Sequence, residues 1–264
     1  FVMKLDSSGD LVWINQFGGT QADVCNDIAI DSNDNIYCTG TTASHFVENI
    51  GSYPLYTTTD IIVVKIDSNG LFQWKKQFGK ESEILQFITT STGSEEGHGI
   101  QIGPDGNLHI AGFSSGSFVN AGAGNDDVVI LKVDQGNGDL IWGRQFGGPQ
   151  DDRCLSITVD SDGYSYCGGY SRSDFAELTP NTTASSGTTA MILKAYPDGN
   201  FVWAKRIGNE NGTHVNSNST CLDIELDSSD NLYCSGTIAA TNVAALTQSK
   251  QNLYERFLDE LFGR

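Results

Sequence analysis

The stretch Val24–Gly40, VCNDIAIDSNDNIYCTG, recurs three times along the chain. The other copies are Gly97–Gly112 (GHGIQIGPDGNLHIAG), Arg153–Gly169 (RCLSITVDSDGYSYCGG) and Thr220–Gly236 (TCLDIELDSSDNLYCSG). Each copy has two runs with apolar residues at alternate positions, separated by Asp, Ser, Gly and Asn, which favour tight turns. Each copy therefore predicts a hairpin of two short strands, and its recurrence indicates a repeat architecture.

A second motif alternates with the first and contains the four tryptophans of the chain. Each copy follows a short apolar run, begins at a lysine and ends at a glycine. The copies are KLDSSGDLVWINQFG (Lys4–Gly18), KIDSNGLFQWKKQFG (Lys65–Gly79), KVDQGNGDLIWGRQFG (Lys132–Gly147) and KAYPDGNFVWAKRIG (Lys194–Gly208). The polar residues in the middle predict another pair of strands joined by a turn, with the tryptophan in the second strand.

The alternation of the two motifs predicts an all-β fold, a β-propeller with four-stranded blades of roughly 60 residues each. We expect sixteen strands over residues 1–239, without the intervening helices of a parallel α/β sheet. Three blades are complete in sequence, namely Val24–Gly79, Gly97–Gly147 and Arg153–Gly208. Phe1–Gly18 and Thr220–Ile238 each supply half of a fourth blade. We therefore predict a ring of four blades whose closing blade is shared by the N-terminal and C-terminal strands, which pair and so cover their edges.

Residues 240–264 lack the repeat and predict a linker followed by an amphipathic C-terminal α-helix. Leu253, Phe257 and Leu261 are spaced by four, so they share one face of that helix. The sequence leaves two interpretations open: the helix packs on its own propeller, or it docks to a partner or to another copy of the chain.

Several phrases of the sequence resemble the SBBP family of bacterial β-propeller repeats. They are DIAIDSNDNIYCTGTT, DIIVVKIDSNG and LFQWKKQFG. The resemblance covers Phe1 to Ile238 and implies a propeller fold. It implies no catalytic residues, because the family occurs mostly in large secreted or surface proteins, often without an assigned activity. The chain departs from the family at Cys38, Cys167 and Cys234, which stand where the family has valine, and in the C-terminal segment.

The six cysteines form three pairs with the same spacing of 13 residues. The pairs are Cys25 and Cys38, Cys154 and Cys167, and Cys221 and Cys234; the second repeat has neither member. This usage predicts a structural disulfide in each of three repeats, and hence an oxidising compartment. Buried thiols are the alternative, because a turn that pairs Asp31 with Asn35 places Ile28 opposite Cys38 and leaves Cys25 out of register. Cys25 would then have to curl back from the loop before its strand.

The chain of 264 residues has 33 acidic and 15 basic residues and a net charge of −18. This acidity argues against a nucleic-acid partner, which needs clustered Lys and Arg. No apolar run approaches the roughly 20 residues of a membrane helix, so we expect no membrane insertion. The chain begins at Phe1 without a signal-peptide pattern, and we expect an excised piece or a mature fragment. Together with the cysteines and the resemblance, these features predict a bacterial protein that is extracellular or at the cell surface.

No motif predicts a catalytic, cofactor or metal site. The turns Asp31–Asn35, Asp160–Gly163 and Asp227–Asn231 have oxygen side chains at alternate positions, so a calcium loop remains an alternative to simple hairpin turns. The four histidines have no metal-ligand spacing, and we expect them on the surface or in loops; they are His45, His98, His109 and His214.

Three hypotheses for function follow from these observations. The first is a non-enzymatic binding or scaffold module that contacts a protein or glycan through propeller loops or the C-terminal helix. The second is a polysaccharide hydrolase or lyase, which would need two carboxylates and an aromatic platform in one pocket. The third is a structural subunit that self-associates through the C-terminal helix, which light scattering with and without residues 245–264 would test.

Overall fold

The computed structural model describes residues 1–44, 58–79, 93–119, 122, 124–173, 187–207 and 218–238. Regular structure in these ranges consists of sixteen β-strands. They are β1 (Val2–Leu5), β2 (Leu11–Asn15), β3 (Asp23–Ile30), β4 (Ile36–Thr42), β5 (Asp60–Ile66), β6 (Phe72–Phe78), β7 (Glu95–Ile102), β8 (Leu108–Ser114), β9 (Asp127–Val133), β10 (Leu140–Phe146), β11 (Asp152–Val159), β12 (Ser165–Ser171), β13 (Thr189–Ala195), β14 (Phe201–Ile207), β15 (Ser219–Leu226) and β16 (Leu232–Ile238). The C-terminal helix predicted within 240–264 lies outside the described residues. The described ranges contain no helix with the length and hydropathy needed to cross a bilayer.

Twelve of these strands form three antiparallel four-stranded sheets, which we name blade 1 (β3 to β6), blade 2 (β7 to β10) and blade 3 (β11 to β14). Within each blade every strand pairs with the next one in sequence. The first strands β3, β7, β11 and β15 pack in succession, so they form the inner edge of a stack of blades. The architecture is therefore all-β and propeller-like, with the first sequence motif forming the inner hairpins and the second the outer ones.

An aspartate closes the inner hairpin of blade 1 by accepting hydrogen bonds across the turn. The Asp31 carboxylate accepts the amide protons of Asn33 and Asn35, both at 2.9 Å. Asp34 adopts the left-handed conformation, with φ at 61°, which lets the chain reverse direction between β3 and β4. The oxygens that could suggest a calcium loop are thus used to hold the turn of the backbone.

Tryptophans tie each blade to the next one. The indole N–H donates to a backbone carbonyl in a turn of the following blade at Trp13 (to Ser68, 3.2 Å), Trp74 (to Gln135, 3.3 Å) and Trp142 (to Pro197, 3.0 Å). Each of these rings is half-buried against the core between the two blades. The same contact recurs at every junction where the tryptophan is followed by a complete blade, which explains the repetition of the second motif.

The predicted closed ring of four blades is wrong. β1 and β2 form a separate two-stranded sheet, the N-terminal half-blade, and β15 and β16 form another, the C-terminal half-blade. The first packs on blade 1, where Val2 is buried beside Cys38 and Val64, and the second packs on blade 3, where Ile224 is buried beside Tyr166. Motif spacing predicts the number of strands, but the angle between neighbouring blades depends on how side chains interdigitate, which the spacing does not encode.

Candidate functional site

Three disulfides brace the inner hairpins of blade 1, blade 3 and the C-terminal half-blade. The Cα–Cα distances are 6.0 Å for Cys25–Cys38, 5.7 Å for Cys154–Cys167 and 5.8 Å for Cys221–Cys234. No described cysteine is free. These bonds lie on the inner strands, so they stiffen the part of each repeat that faces the axis of the stack.

A β-bulge in β3 explains how Cys25 can bond to Cys38 although Ile28 lies opposite Cys38. Ile28 does lie opposite Cys38, but the ladder is interrupted between Cys25 and Asp27, and Cys25 lies opposite Gly40. Cys25 is thus part of β3. The regular register had suggested that it curls back from the preceding loop, and this expectation is wrong. The bulge turns its side chain towards Cys38, and the lack of a side chain at Gly40 allows the backbone carbonyl of Val24 to approach closely.

Carboxylates on the inner strands join neighbouring blades. Asp27 Oδ2 accepts the amide proton of Ile100 on β7 at 2.8 Å, and Asp223 Oδ1 accepts the hydroxyl proton of Ser156 on β11, also at 2.8 Å. The second oxygen of Asp27 accepts the amide proton of Ile28 at 2.8 Å. Both aspartates occupy the same position of the repeat, directly after the bulged residue.

Asp27 has an unusual electrostatic environment. Burial raises the pKa of Asp27 above its ordinary value, and the negative charge of Asp223 raises it further. The amide hydrogen bonds from Ile100 and Ile28 oppose this rise because they favour the ionised carboxylate. Within the described ranges, no group of three or more His, Cys, Asp or Glu side chains has the geometry to hold a metal ion.

His109 contradicts the expectation of a surface or loop histidine. It lies on β8, fully buried, with Nδ1 2.8 Å from Ser165 Oγ. Burial lowers the pKa of His109 to about 4, and the charge of Lys132 lowers it as well. The repeat has tyrosine at this position in blades 1 and 3, so His109 is a core residue whose place in the aligned motif, next to Leu108, already indicated burial.

An open concavity with aromatic lining lies where the N-terminal half-blade meets blade 1. Two adjoining clefts of about 620 and 380 Å³ share Gln16, Phe17 and Gly18. We call them together the Phe17 groove. The remaining lining residues are Phe1, Gly19, Gln21 and Asp23 on one side and Phe72, Gln73, Trp74 and Lys75 on the other. The Phe17 and Phe72 rings meet edge to face, with centroids 5.8 Å apart.

Gln16 of the second motif is exposed in the half-blade, and Phe17 beside it is partly buried. In blades 1 and 2 the equivalent glutamines are buried and donate to an aspartate of the same sheet, Gln77 to Asp60 at 2.5 Å and Gln145 to Asp127 at 2.9 Å. The half-blade therefore presents to solvent an amide that blades 1 and 2 bury in internal hydrogen bonds.

One carboxylate borders the groove, and it is already engaged. Asp23 Oδ2 accepts the amide proton of Gly19 at 2.7 Å, and its other oxygen accepts the hydroxyl proton of Thr42. The groove thus offers aromatic surface, amides and a hydrogen-bonded carboxylate. This composition suits binding of a polar ligand with apolar faces better than proton transfer.

The sequence predicts the disulfide residues but not the Phe17 groove. Its other predicted contact residues, Leu253, Phe257 and Leu261, lie outside the described residues. Gln16 and Phe17 were visible only as members of a repeated motif whose other copies are structural. The one available signal was that this copy of the second motif is not preceded by an inner hairpin of its own.

The comparisons with known proteins bear on the repeat. The family model of the SBBP beta-propeller repeat matches residues 12–46 and 141–176. These two stretches are similar to the SBBP repeat. The first match runs from β2 to β4 and the second from β10 to β12, so one SBBP repeat joins the last strand of a blade to the inner hairpin of the next. Trp13, Trp142 and two of the three disulfides fall within these matches.

More distant similarities cover most of the chain. A search of the curated proteins found no match. A gluconolactonase structure from Xanthomonas campestris is 14% identical, with a TM-score of 0.45, over 89% of this chain and 61% of that one. A protein of unknown function from Dyadobacter fermentans is 12% identical, with a TM-score of 0.46, over 86% and 59%. The chain spans less than two thirds of either structure, and similarities at these TM-scores do not bear on function.

Proposed function

We propose that this chain is a non-enzymatic binding or scaffold module and that the Phe17 groove contacts a protein or glycan partner. The main support is the composition of the groove, where the rings of Phe17, Phe72 and Trp74 lie beside exposed glutamine amides. Aromatic faces pack against the apolar faces of sugar rings or peptide side chains, while amides supply hydrogen bonds that fix orientation. The acidic chain and the engaged Asp23 make a nucleic-acid ligand a poor fit.

The proposed location is outside the cell or on its surface. Disulfides persist in oxidising compartments and are rare where thiols are kept reduced. Three of them brace inner hairpins of the described structure. A binding module that works in such a compartment benefits from hairpins that survive local unfolding.

Polysaccharide hydrolysis or elimination is the second candidate, supported by the raised pKa of Asp27 beside Asp223. A raised carboxyl pKa is what a general acid needs. Against this candidate, both carboxylates already accept hydrogen bonds from neighbouring strands. They also lie apart from the aromatic rings of the Phe17 groove, so the described residues do not combine two carboxylates and an aromatic platform in one pocket.

Binding measurements on the full chain test the first candidate. The probes are an array of bacterial and plant polysaccharides and a displayed library of random peptides. We expect Phe72→Ala to weaken binding of the selected probe by about tenfold, since stacking against a ring contributes about 1 kcal/mol or more. Ile141→Ala is the matched control, because Ile141 is a similarly exposed apolar residue on the outer strand of blade 2. Equal losses in both variants, or hydrolysis of a polysaccharide that Asp27→Asn abolishes, would overturn the proposal.

A further inference from the structure

Two tyrosines of blade 3 occupy turn positions where the other repeats have polar residues. Tyr196 begins the outer turn between β13 and β14. In the other outer turns that the structure describes, the equivalent residue is an aspartate that accepts an amide proton of its own turn at 2.8 or 2.9 Å. These aspartates are Asp6, Asp67 and Asp134. In blade 3 the Asp198 carboxylate takes over this role and accepts the amide proton of Asn200 at 2.9 Å.

Tyr164 departs from the repeat in the same way at the end of the inner turn of blade 3. The other inner turns that the structure describes have an asparagine there, whose side-chain amide donates to a carboxylate of the same turn at 2.9 or 3.0 Å. These asparagines are Asn35, Asn107 and Asn231. Asp and Asn suit turns because their side chains form local hydrogen bonds that a phenol ring cannot reproduce. Neither tyrosine is therefore explained by the turn that it occupies.

The two tyrosines meet on the surface of blade 3. Their ring centroids are 5.3 Å apart at an interplanar angle of 42°, and Tyr196 is 43% exposed. The Lys194 ammonium lies 3.9 Å from the centroid of the Tyr164 ring and donates to the Tyr166 hydroxyl at 2.5 Å, which fixes the position of Tyr164. Neither Tyr164 nor Tyr196 uses its hydroxyl in a hydrogen bond with the described residues. The pair thus offers aromatic surface and two hydroxyls to a ligand.

Two prolines extend this aromatic surface to blade 2. Pro197 follows Tyr196, Pro104 lies in the inner turn of blade 2, and both prolines are exposed. Both lie against Gly163, where a Cβ atom would be 3.5 Å from Pro197 Cγ and 3.9 Å from Pro104 Cγ. We call Tyr164, Tyr196, Pro104 and Pro197 the ring patch. It lies in three turns that the structure describes throughout, and it shares no residue with the Phe17 groove.

We propose that the ring patch binds a neutral polysaccharide, with sugar rings stacked on Tyr196 and Tyr164. The apolar faces of a pyranose pack on aromatic rings, and the two phenol hydroxyls exchange hydrogen bonds with its hydroxyl groups. Asp162 and Asp198 are exposed residues of the same two turns, so they add carboxylate acceptors for sugar hydroxyls. The replacement of two turn-stabilising side chains by tyrosine thus creates a surface that suits a sugar.

Charge and size favour a neutral glycan over other partners. The carboxylates of Asp162 and Asp198, in a chain of net charge −18, repel acidic sugars. Two cations beside the patch are engaged: Lys194 pairs with Asp160 at 3.5 Å, and Arg144 donates to the carbonyl of Asp198 at 3.0 Å. The side chains of the ring patch are far fewer than the roughly 20 residues that each partner contributes to a stable protein interface. The proposal does not rest on the Phe17 groove, which lies between other blades.

Affinity electrophoresis of the full chain tests the proposal. Native gels contain galactomannan, hydroxyethylcellulose or dextran as neutral probes and polygalacturonate as an acidic one. Tyr164→Asn and Tyr196→Asp introduce the residues of the other repeats, which the turns favour, so both variants should fold. We expect at least one neutral polymer to retard the wild type, polygalacturonate not to retard it, and each variant to bind about tenfold more weakly. Tyr196→Phe should bind nearly as well as the wild type because it keeps the ring.

Two further variants identify the site. Leu11→Asp makes the charge change of Tyr196→Asp at a residue of the N-terminal half-blade that is 58% exposed, and it should bind like the wild type. Weaker binding in the tyrosine variants supports the ring patch, whether or not Phe72→Ala also weakens binding. Weaker binding in Phe72→Ala alone would assign the polysaccharide to the Phe17 groove, which overturns this proposal and leaves the proposed function standing. No retardation by any neutral polymer, retardation that neither tyrosine variant weakens, or stronger retardation by polygalacturonate would each overturn the proposal as well.

Discussion

Cys25 lies opposite Gly40 across β3 and β4, yet its sulfur bonds to Cys38, two positions away on the same neighbouring strand. The glycine is required by the bulge, because a Cβ atom at Gly40 would lie 1.9 Å from the carbonyl oxygen of Val24; Gly112 of blade 2, which has no disulfide, has the same close approach to the carbonyl of Glu96. The same glycine stands opposite Cys154 as Gly169 and opposite Cys221 as Gly236. The bulge and the glycine therefore occur in all four inner hairpins, and a disulfide is added in three of them.

Gly40→Ala should destabilise the chain by about 2 kcal/mol or more, because the new methyl group must displace backbone rather than a flexible side chain. Gly136→Ala is the control, since Gly136 is exposed and its Cβ would meet only the Asp134 carboxylate. Denaturant unfolding followed by tryptophan fluorescence gives both free energies. Equal values for the two variants would show that the close approach at Gly40 is relieved without cost.

The three disulfides should account for all six cysteines. A thiol reagent added to the denatured, unreduced chain should find no reactive thiol, and six after reduction. Each bond closes a short loop, so removing one pair, as in Cys154→Ala with Cys167→Val, should lower the free energy of unfolding by about 3 kcal/mol. Six reactive thiols before reduction would establish the buried-thiol alternative instead.

Comparing substitutions at Trp74 and Trp203 isolates the contribution of the indole hydrogen bond between blades to the free energy of unfolding. The Trp74 indole donates to the carbonyl of Gln135 in the next blade, whereas the Trp203 indole has no such acceptor in the described residues, because only a half-blade follows it. Both rings are half-buried. Trp74→Phe should therefore cost about 1 kcal/mol more than Trp203→Phe in unfolding experiments. A larger loss for Trp203→Phe would contradict the role assigned to the indole hydrogen bond.

His109 should make stability depend on pH. Its pKa in the folded chain is lowered to about 4 from an ordinary value of 6.5, chiefly by burial and next by Lys132, while Asp105 acts in the opposite direction. Between these pH values the unfolded chain binds more protons than the folded one. Stability should therefore fall as pH decreases from about 6.5, by up to about 3 kcal/mol, and this contribution should level off near pH 4.

His109→Phe should flatten this part of the pH profile, because an aromatic residue that does not titrate then fills the same site. His98→Gln is the control, since His98 is only partly buried and pairs with Glu96. Denaturation midpoints from pH 4 to pH 7 measure the slope. An imidazole signal of His109 that titrates near 6.5 in the folded chain would contradict the buried, neutral histidine.

The sequence predicted the strands and the disulfides well because both follow from local periodicity. Asp31 and its equivalents close hairpins through contacts within five residues, and the cysteine pairs share one spacing. The sequence did not predict the features that depend on packing between residues far apart in the chain. The exposure of Ile28 depends on whether another hairpin precedes β3, and the Phe17 groove depends on the same circumstance. The burial of His109 could have been predicted from the alignment of the repeats, since tyrosine occupies that position elsewhere.

The N-terminal and C-terminal half-blades remain separate sheets within one chain. Hydrogen exchange of the dilute chain tests this separation most directly, because a paired strand protects amides that an open edge exposes. We predict rapid exchange for the amides of Val2–Leu5 and Leu232–Ile238 that point away from their own hairpins, and slow exchange at the equivalent positions of β5 and β4. Protection of both edges that does not change with dilution would contradict the claim and establish a ring closed within a single chain.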